Sequence, residues 1–226
     1  MIFDSREDAG QQLAKRLEGF TGPIPPLPLV LGIPRGGVSV AFQVAQKLYA
    51  PLDVFLTRKL GVPGHEELAF GAVSFGGQPV LDEQVIHAAG ISPQQIERIA
   101  AAAAETLKQR AELYRTDRPP LPVEGRTVIL VDDGIATGAS MLAAVRALRE
   151  QKPARMVVAV PVAPASTYAW LRREADELVC LYAPEDFYAV GQFYRDFSQV
   201  SDEEVASLLR RAAGFAHGGA AGQDAR

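Results

Sequence analysis

The chain lacks the features that would tie it to a membrane, to nucleic acid or to an oxidising compartment. Cys180 is its only cysteine, so no intramolecular disulfide can form, and we expect a buried thiol in a reducing environment. No stretch approaches the roughly 20 apolar residues that cross a bilayer, and the N-terminus is charged where a signal peptide is apolar. A net charge of -4 argues against binding along a nucleic-acid backbone. We therefore expect a cytoplasmic protein without membrane or nucleic-acid partners.

Two common nucleotide-binding motifs are missing as well. The chain has neither the Gly-Lys-Ser/Thr of a P-loop nor the Gly-x-Gly-x-x-Gly of a dinucleotide site. It also has no nucleophile elbow and no cluster of metal-ligating residues, which disfavours hydrolysis of a nucleotide-like ester. Core material is plentiful, because 48% of the residues are hydrophobic and only 22% are charged. This composition predicts a chain that folds alone.

The order of apolar strands and amphipathic helices predicts one α/β domain. We expect strands at 29–33, 52–57, 127–131, 156–160 and 178–182, a hairpin of 69–75 with 79–81, and a first helix capped by Asp4 or Ser5. Strands that alternate with helices form right-handed crossovers in an open parallel sheet flanked by helices. We expect a single domain at 1–211, with its core at 29–183, a helical and hairpin excursion at 84–120, a C-terminal hood at 184–205 and a flexible tail at 212–226.

The segment 128–141 carries the strongest chemical signal. A buried strand ends in Asp132 and Asp133, and a turn then leads into a helix. The turn and the helix start supply small and hydroxyl residues, namely Gly134, Ala136, Thr137, Gly138, Ala139 and Ser140. Helix N-termini at the carboxyl edge of a sheet present unpaired N–H groups to anions, and carboxylates accept hydrogen bonds from vicinal hydroxyls. The segment therefore fits a ribose phosphate, although the carboxylates of a plain helix cap would look similar.

This segment resembles the ribose-phosphate signature of the type I phosphoribosyltransferases, in which an apolar strand leads to two acidic residues and a Thr-Gly turn. The resemblance implies that Asp132 and Asp133 hold the ribose hydroxyls of 5-phosphoribosyl-1-pyrophosphate (PRPP). It also implies that they contact Mg2+ through water, and that they act with Arg35 as the catalytic residues. The 5-phosphate would lie in the turn between Gly134 and Ser140.

A second junction of strand, loop and helix at 32–37 reads Gly-Ile-Pro-Arg-Gly-Gly. Its N–H groups and the guanidinium of Arg35 form another anion site, and two such sites suit a sugar that is phosphorylated at both ends. By itself the motif is more often an ordinary strand-to-helix turn. The resemblance implies that Arg35, Gly36 and Gly37 bind the pyrophosphate, with a non-proline cis peptide at Arg35–Gly36.

Three more basic residues are candidates for the pyrophosphate site. Arg58 and Lys59 end the predicted strand at 52–57, where a solvated pair is the alternative interpretation. The likeness to purine-type enzymes places Arg195 at the pyrophosphate too. The resemblance implies that the basic segment with Arg110, Arg115 and Arg118 belongs to a flexible loop that closes over the site. We place His65, Glu66 and Glu67 in a Gly/Pro loop, as an acid or base or as solvated side chains.

The segment 184–196 resembles the base-recognition run of purine-type phosphoribosyltransferases. The likeness implies that Phe187 stacks on the base while the backbone of Tyr188 and Ala189 binds its edge. The alternative is that the four aromatic residues of this segment cap the sheet edge. Ala136 stands where the hypoxanthine-guanine enzymes have an acidic residue, which argues against a 6-oxopurine acceptor.

These observations together predict a Mg2+-dependent phosphoribosyltransferase. It would move phosphoribose from PRPP to a small, purine-like base, release pyrophosphate and serve nucleotide salvage. We expect a homodimer. The alternative is a catalytically silent regulatory protein that binds PRPP or a nucleotide.

Overall fold

The computed structural model describes residues 1–20, 27–115 and 119–215, and a parallel sheet lies at the centre of the fold. The strands are β1 (Leu29–Gly32), β2 (Leu52–Val54), β3 (Thr57–Val62), β4 (His65–Ser74), β5 (Val80–Leu81), β6 (Thr127–Val131), β7 (Arg155–Val162) and β8 (Glu177–Tyr182). The helices are α1 (Arg6–Arg16), α2 (Gly36–Leu48), α3 (Glu83–Ala89), α4 (Pro93–Arg115), α5 (Ala139–Arg149), α6 (Ala165–Leu171) and α7 (Asp202–Ala212).

The central sheet has the strand order β2-β1-β6-β7-β8, and every neighbouring pair is parallel. All of β1 is buried, and so are β6 and β7 apart from their first residues. Continuous burial is expected of central parallel strands, because helices cover both faces of the sheet. The predicted open parallel sheet flanked by helices is confirmed.

A second, antiparallel sheet of β3, β4 and β5 corrects the predicted strand at 52–57. That segment ends as β2 at Val54, and a new strand begins at Thr57. Arg58 and Lys59 therefore lie inside β3 rather than at the end of a core strand. His65 and Glu66 begin β4 and are not loop residues. The expected pairing of 69–75 with 79–81 is present as β4 with β5.

The predicted flexible loop is wrong for Arg110 and Arg115, because both lie in helix α4. Helix α4 continues to Arg115, and the guanidinium is buried against β2. There Nη1 lies 3.3 Å from Oδ2 of Asp53, and Nη2 donates to the carbonyl of Val54 at 2.9 Å. The basic and proline-rich composition concealed this contact, because the partner lies 61 residues earlier in the chain. Arg118 falls outside the described residues.

The two ends of the described chain pack on the core through capped helices. Ser5 caps α1 as predicted. Ser201 caps α7, since its Oγ accepts from the N–H of Glu204 and its own N–H donates to the Glu204 carboxylate. Helix α1 packs on α2, and α7 packs on α2 and α4. The linker at 21–26 and residues 216–226 of the predicted tail lie outside the described part.

Two remaining expectations concern solvent and membrane exposure. Cys180 is only half-buried, because β8 is an edge strand, and burial raises the pKa of its thiol to about 11. Within the described ranges, no helix is long and apolar enough to cross a membrane.

Candidate active site at the carboxyl edge of the sheet

Asp132 and Asp133 follow β6 directly, at the middle of the parallel sheet, and both are half-buried. The backbone N–H of Asp133 donates to Oδ1 of Asp132 at 2.8 Å, so the first carboxylate folds back over the main chain. Burial and the neighbouring charge of Asp133 raise the pKa of Asp132 well above its usual value, and Arg6 opposes this shift. Two adjacent carboxyl groups that repel each other are stabilised by hydrogen-bond donors and cations, so the pair favours ligands that supply them.

The turn after the carboxylates packs against α6 on one side and faces solvent on the other. Oγ1 of Thr167 donates to the carbonyl of Ala136 at 2.9 Å, and Gly138 adopts a left-handed φ of 81° against the ring of Trp170. A Cβ at Gly138 would overlap that ring, so glycine is required there. The side chains that face solvent are those predicted for the phosphate: Ala136, Thr137, Ala139 and Ser140. The N-cap residue of α5 is Gly138, which has no side chain to cap the helix, and the N–H of Ala139 makes only a long bond of 3.5 Å to Oγ1 of Thr137. The first turn of α5 therefore keeps N–H groups for an anion.

The second loop touches the carboxylate pair directly. Helix α2 begins at Gly36, also without a cap from a described side chain. A Cβ on Gly36 would overlap Oδ2 of Asp133, and one on Gly37 would lie 2.8 Å from Cα and Oδ1 of Asp132. The two predicted anion loops therefore converge on one place. The cis peptide is Pro34–Arg35, one bond before the position that we predicted.

Arg6 and Tyr194 hold Asp133 from two sides, and sequence reasoning missed both. Nε of Arg6 donates to Oδ2 of Asp133 at 2.7 Å, and the Tyr194 hydroxyl donates to the Asp133 carbonyl at 2.5 Å. Burial and the charge of Asp133 raise the pKa of the Tyr194 phenol, which keeps the hydroxyl a donor. No local pattern signals either contact, since the partners lie 127 and 61 residues apart.

The N-terminal segment and the predicted hood form one seam beside the site. The N–H of Phe3 donates to the carbonyl of Phe193 at 2.8 Å, and the N–H of Arg195 donates to the carbonyl of Phe3 at 2.9 Å. The Arg195 guanidinium is exposed and pairs with Asp4 at 2.5 Å. No described contact brings Arg195 to the Gly36–Gly37 loop, where we expected it.

Some groups of the predicted base-recognition segment already contact other residues of the same segment. Phe187 is half-buried, and its ring centroid lies 5.3 Å from that of Phe193, while Tyr188 is 91% exposed. Oε1 of Gln192 accepts from the N–H groups of Tyr188 and Ala189 at 2.9 and 3.1 Å. The backbone of these two residues was predicted to bind the base edge. Phe187 thus combines a packed face with partial exposure, as both interpretations of the segment required.

Arg58 and Lys59 lie in a different cavity. A cleft of about 810 Å³ separates the β3–β4 hairpin from α4, and its lining includes these two residues, Glu66 and Arg98. Neither the 132–140 loop nor the 34–37 loop lines this cleft. The structure therefore does not group Arg58 and Lys59 with Arg35.

The carboxylate pair suits a magnesium ion only in combination with a substrate. Within the described residues, no group of three or more His, Cys, Asp and Glu side chains is arranged to hold a metal. Mg2+ in phosphoryl-sugar sites keeps several waters and is held by one or two carboxylates together with substrate oxygens. Asp132 and Asp133 fit that mode, because their oxygens lie beside the α2 loop predicted for pyrophosphate.

Comparisons with known proteins agree with this geometry. A family model described as a phosphoribosyl transferase domain matches residues 13–198. Two curated proteins from strains of Mycobacterium tuberculosis, whose names give phosphoribosyl transferase as a provisional activity, are 46% identical over 220 residues. The alignment covers 97% of this chain and 49% of theirs, so the chain spans about half the length of these relatives.

A solved structure also matches. The crystal structure of TT1426 from Thermus thermophilus is 46% identical, covers 95% of this chain and 100% of that one, and has a TM-score of 0.86. A shorter match, 41% identical over 81 residues, links 36% of this chain to 26% of a ribose-phosphate pyrophosphokinase from Methanopyrus kandleri.

Proposed function

Because the chain belongs to the phosphoribosyl transferase domain family, we propose that it transfers phosphoribose from PRPP to a nitrogenous, purine-like base and releases pyrophosphate. One observation carries the proposal: two helix N-termini, whose N-cap residues Arg35 and Gly138 make no side-chain capping hydrogen bond, flank the Asp132–Asp133 pair. PRPP has the matching order of groups, with a phosphate at one end, two hydroxyls in the middle and a pyrophosphate at the other end. Nucleotide salvage, a homodimer and a cytoplasmic location stay predictions.

The 5-phosphate end of PRPP would lie on α5. The first N–H groups of that helix and the hydroxyls of Thr137 and Ser140 provide donors on the solvent side of the turn. Asp132 and Asp133 would accept hydrogen bonds from the ribose hydroxyls. An ionised phosphate could not take the place of the ribose there, because it has no proton to donate to the two carboxylates. The sugar is thereby oriented with its anomeric carbon toward the second loop.

The pyrophosphate end would lie at the start of α2. Arg35 is exposed there, and the N–H groups of Gly36 and Gly37 begin the helix. When bound, Mg2+ supplies positive charge to the leaving pyrophosphate. The residues of the two loops act electrostatically, since they stabilise charge that develops as the glycosidic bond breaks, and no protein nucleophile is needed.

The acceptor base would approach along the hood. Phe187 offers a partly exposed ring face. The side chain of Gln192 takes the N–H groups of Tyr188 and Ala189, and the backbone N–H of Gln192 donates to the Ala189 carbonyl, so the Tyr188 carbonyl is the group offered to the base edge. This arrangement favours a base that donates hydrogen bonds over one that only accepts them.

A second candidate function is a catalytically silent protein that binds PRPP or a nucleotide. The Gln192 contacts favour it, since the side-chain oxygen occupies the two N–H groups that would recognise an acceptor. A protein of this kind would keep the sugar-phosphate loops and lack a competent base site.

Pyrophosphate release tests the two functions against each other. The protein is mixed with PRPP, Mg2+ and a panel of purine, pyrimidine and imidazole bases, and PRPP binding is measured in parallel by calorimetry. We expect release with at least one base, and strong loss in Asp132→Asn. Binding of PRPP without release for any base would support the silent protein. Absence of PRPP binding would overturn both.

A further inference from the structure

We propose that Arg6 is a positioning residue of this site, which holds the Asp133 carboxylate in the orientation that receives a ribose hydroxyl of PRPP. The inference rests on the proposed function and adds a residue from outside the family match, which begins at residue 13. Arg6 would act through Asp133 and would not itself contact the reacting atoms.

The Arg6 guanidinium is fixed on three sides. Its Nε donates to Oδ2 of Asp133 at 2.7 Å, and its Nη1 donates to the carbonyl of Ser198 at 2.7 Å. Its carbon Cζ lies 3.9 Å from the centroid of the Phe197 ring. Because the guanidinium is planar, these contacts define both its position and its orientation. Because the guanidinium is fixed, its hydrogen bond also restricts the orientation of the Asp133 carboxylate.

The ion pair is shielded from solvent, unlike an ordinary surface pair. The exposed fractions of the two side chains are 12% for Arg6 and 15% for Asp133. Exposed pairs contribute little, whereas removing one partner of a shielded pair leaves the other uncompensated. Here the partner left behind would be a carboxylate adjacent to Asp132, so the two negative charges would repel each other without compensation.

The geometry leaves the carboxylate usable. The hydrogen bond from Arg6 engages Oδ2, and a carboxylate has acceptor positions on both oxygens. Gly36 lies against the same contact, since a Cβ there would overlap Oδ2 of Asp133 and come within 2.8 Å of Nε of Arg6. The ion pair therefore lies where the ribose site meets the proposed pyrophosphate loop. A small displacement of Asp133 would disturb both.

The capped start of α1 and its contacts with the hood together place Arg6 at this site. Ser5 caps α1, and Arg6 is the first residue of that helix. The backbone bonds of Phe3 with Phe193 and Arg195 fix the preceding residues to the hood. The hydrogen bond from Arg6 to the carbonyl of Ser198 then joins the start of α1 to a later part of the hood.

The test compares PRPP affinities, measured by calorimetry in the presence of Mg2+. We expect Arg6→Gln to bind PRPP on the order of tenfold more weakly, as for the loss of a shielded charge-assisted hydrogen bond. Arg6→Lys keeps the positive charge but lacks the planar guanidinium, so its PRPP affinity should lie between those of the wild type and Arg6→Gln. Arg16→Gln is the matched control, since it is the same substitution at an exposed position in the last turn of α1. It should leave PRPP affinity unchanged.

A double-mutant cycle with Asp133→Asn separates positioning from a general structural role. If Arg6 acts through Asp133, adding Arg6→Gln to Asp133→Asn should cause little further loss. Additive losses, or an Arg6→Gln protein that binds PRPP like the wild type, would overturn the inference while leaving the proposed function intact. A wild-type protein that does not bind PRPP would instead overturn the proposed function. Should Arg6→Gln fail to fold, unchanged affinity in Arg6→Lys would overturn the inference.

Discussion

Two shielded Arg–Asp pairs in the described part of the molecule are built differently. The Arg115–Asp53 pair joins α4 to β2, with exposed fractions of 9% and 11%, and Asp53 also accepts from the N–H groups of Val54 and Leu121. The Arg6–Asp133 pair has similar exposure, but the described hydrogen bond to its carboxylate engages Oδ2 alone. In the first pair both carboxylate oxygens are used by the protein itself.

This difference distinguishes the Arg115–Asp53 pair, which we call the structural pair, from the Arg6–Asp133 pair at the candidate site. Burial raises the pKa of Asp53, and Arg115 and the two backbone hydrogen bonds oppose the shift. Asp133, by contrast, lies against Gly36 at the start of α2. Similar burial of similar residues thus stabilises the fold in one place and, in the function that we propose, orders a carboxylate for a ligand in the other.

The largest expected effect is on the structural pair. Asp53→Asn leaves the shielded Arg115 charge uncompensated, and we expect the free energy of unfolding to fall by about 3 kcal/mol. Chemical denaturation measures this, and PRPP affinity of the folded protein should stay the same. Lys47→Gln, which breaks an exposed pair with Glu18, is the control and should change stability by less than about 0.5 kcal/mol. A loss of PRPP affinity in Asp53→Asn would erase the distinction between the two pairs.

The next effect concerns the glycine that lets α2 approach the site carboxylates. Gly37→Ala places a Cβ 2.8 Å from Cα of Asp132, a backbone atom that cannot rotate away. We expect PRPP affinity to fall by about a hundredfold, in line with the sensitivity of bound geometry to shifts of about 1 Å. Gly19→Ala is the control, because no described atom lies within 4 Å of a Cβ there. Wild-type affinity in Gly37→Ala would show that the α2 loop does not help to form the site.

A smaller effect is expected at the second support of Asp133. Tyr194→Phe removes the hydroxyl that donates to the Asp133 carbonyl and keeps the ring that packs on Phe3. The loss of one hydrogen bond of about 1 kcal/mol predicts roughly fivefold weaker PRPP binding by calorimetry. Tyr168→Phe, at a position on α6 outside this contact, serves as the control. An unchanged affinity would mean that Arg6 alone holds Asp133 in place.

The smallest effect concerns an exposed pair. Burial acts to raise the pKa of Asp176, but the hydrogen bonds from the Met156 N–H and Arg149 outweigh it, so the pKa is lowered. A lowered folded-state pKa means that the stabilisation is present above the ordinary value near 3.8 and is lost as pH falls through the lowered pKa. Asp176→Asn should flatten this part of the stability profile by less than about 0.5 kcal/mol. A larger change would show that exposure does not separate weak from strong pairs here.

Sequence patterns predicted those parts of the fold and site that depend on neighbouring residues. The run Thr127–Val131 is apolar throughout and forms the central strand, and the residues after it form a turn and an uncapped helix start, as predicted. The Gly36–Gly37 junction was predicted in the same way, and helix α2 begins there. The β3–β4 hairpin was missed, because Gly61, Pro63 and Gly64 concealed the two-residue alternation of buried Leu60 and Val62.

The sequence by itself determined the parallel sheet, the carboxylate pair and the two loops, because strand, turn and helix preferences act over a few adjacent residues. Only the tertiary structure decided that Arg6 and Tyr194 hold Asp133, that Arg115 is buried on Asp53, and that Arg195 pairs with Asp4. These partners are far apart in the chain. Their contacts depend on how the packed helices and the hood bring distant backbone segments together, and no local pattern encodes that.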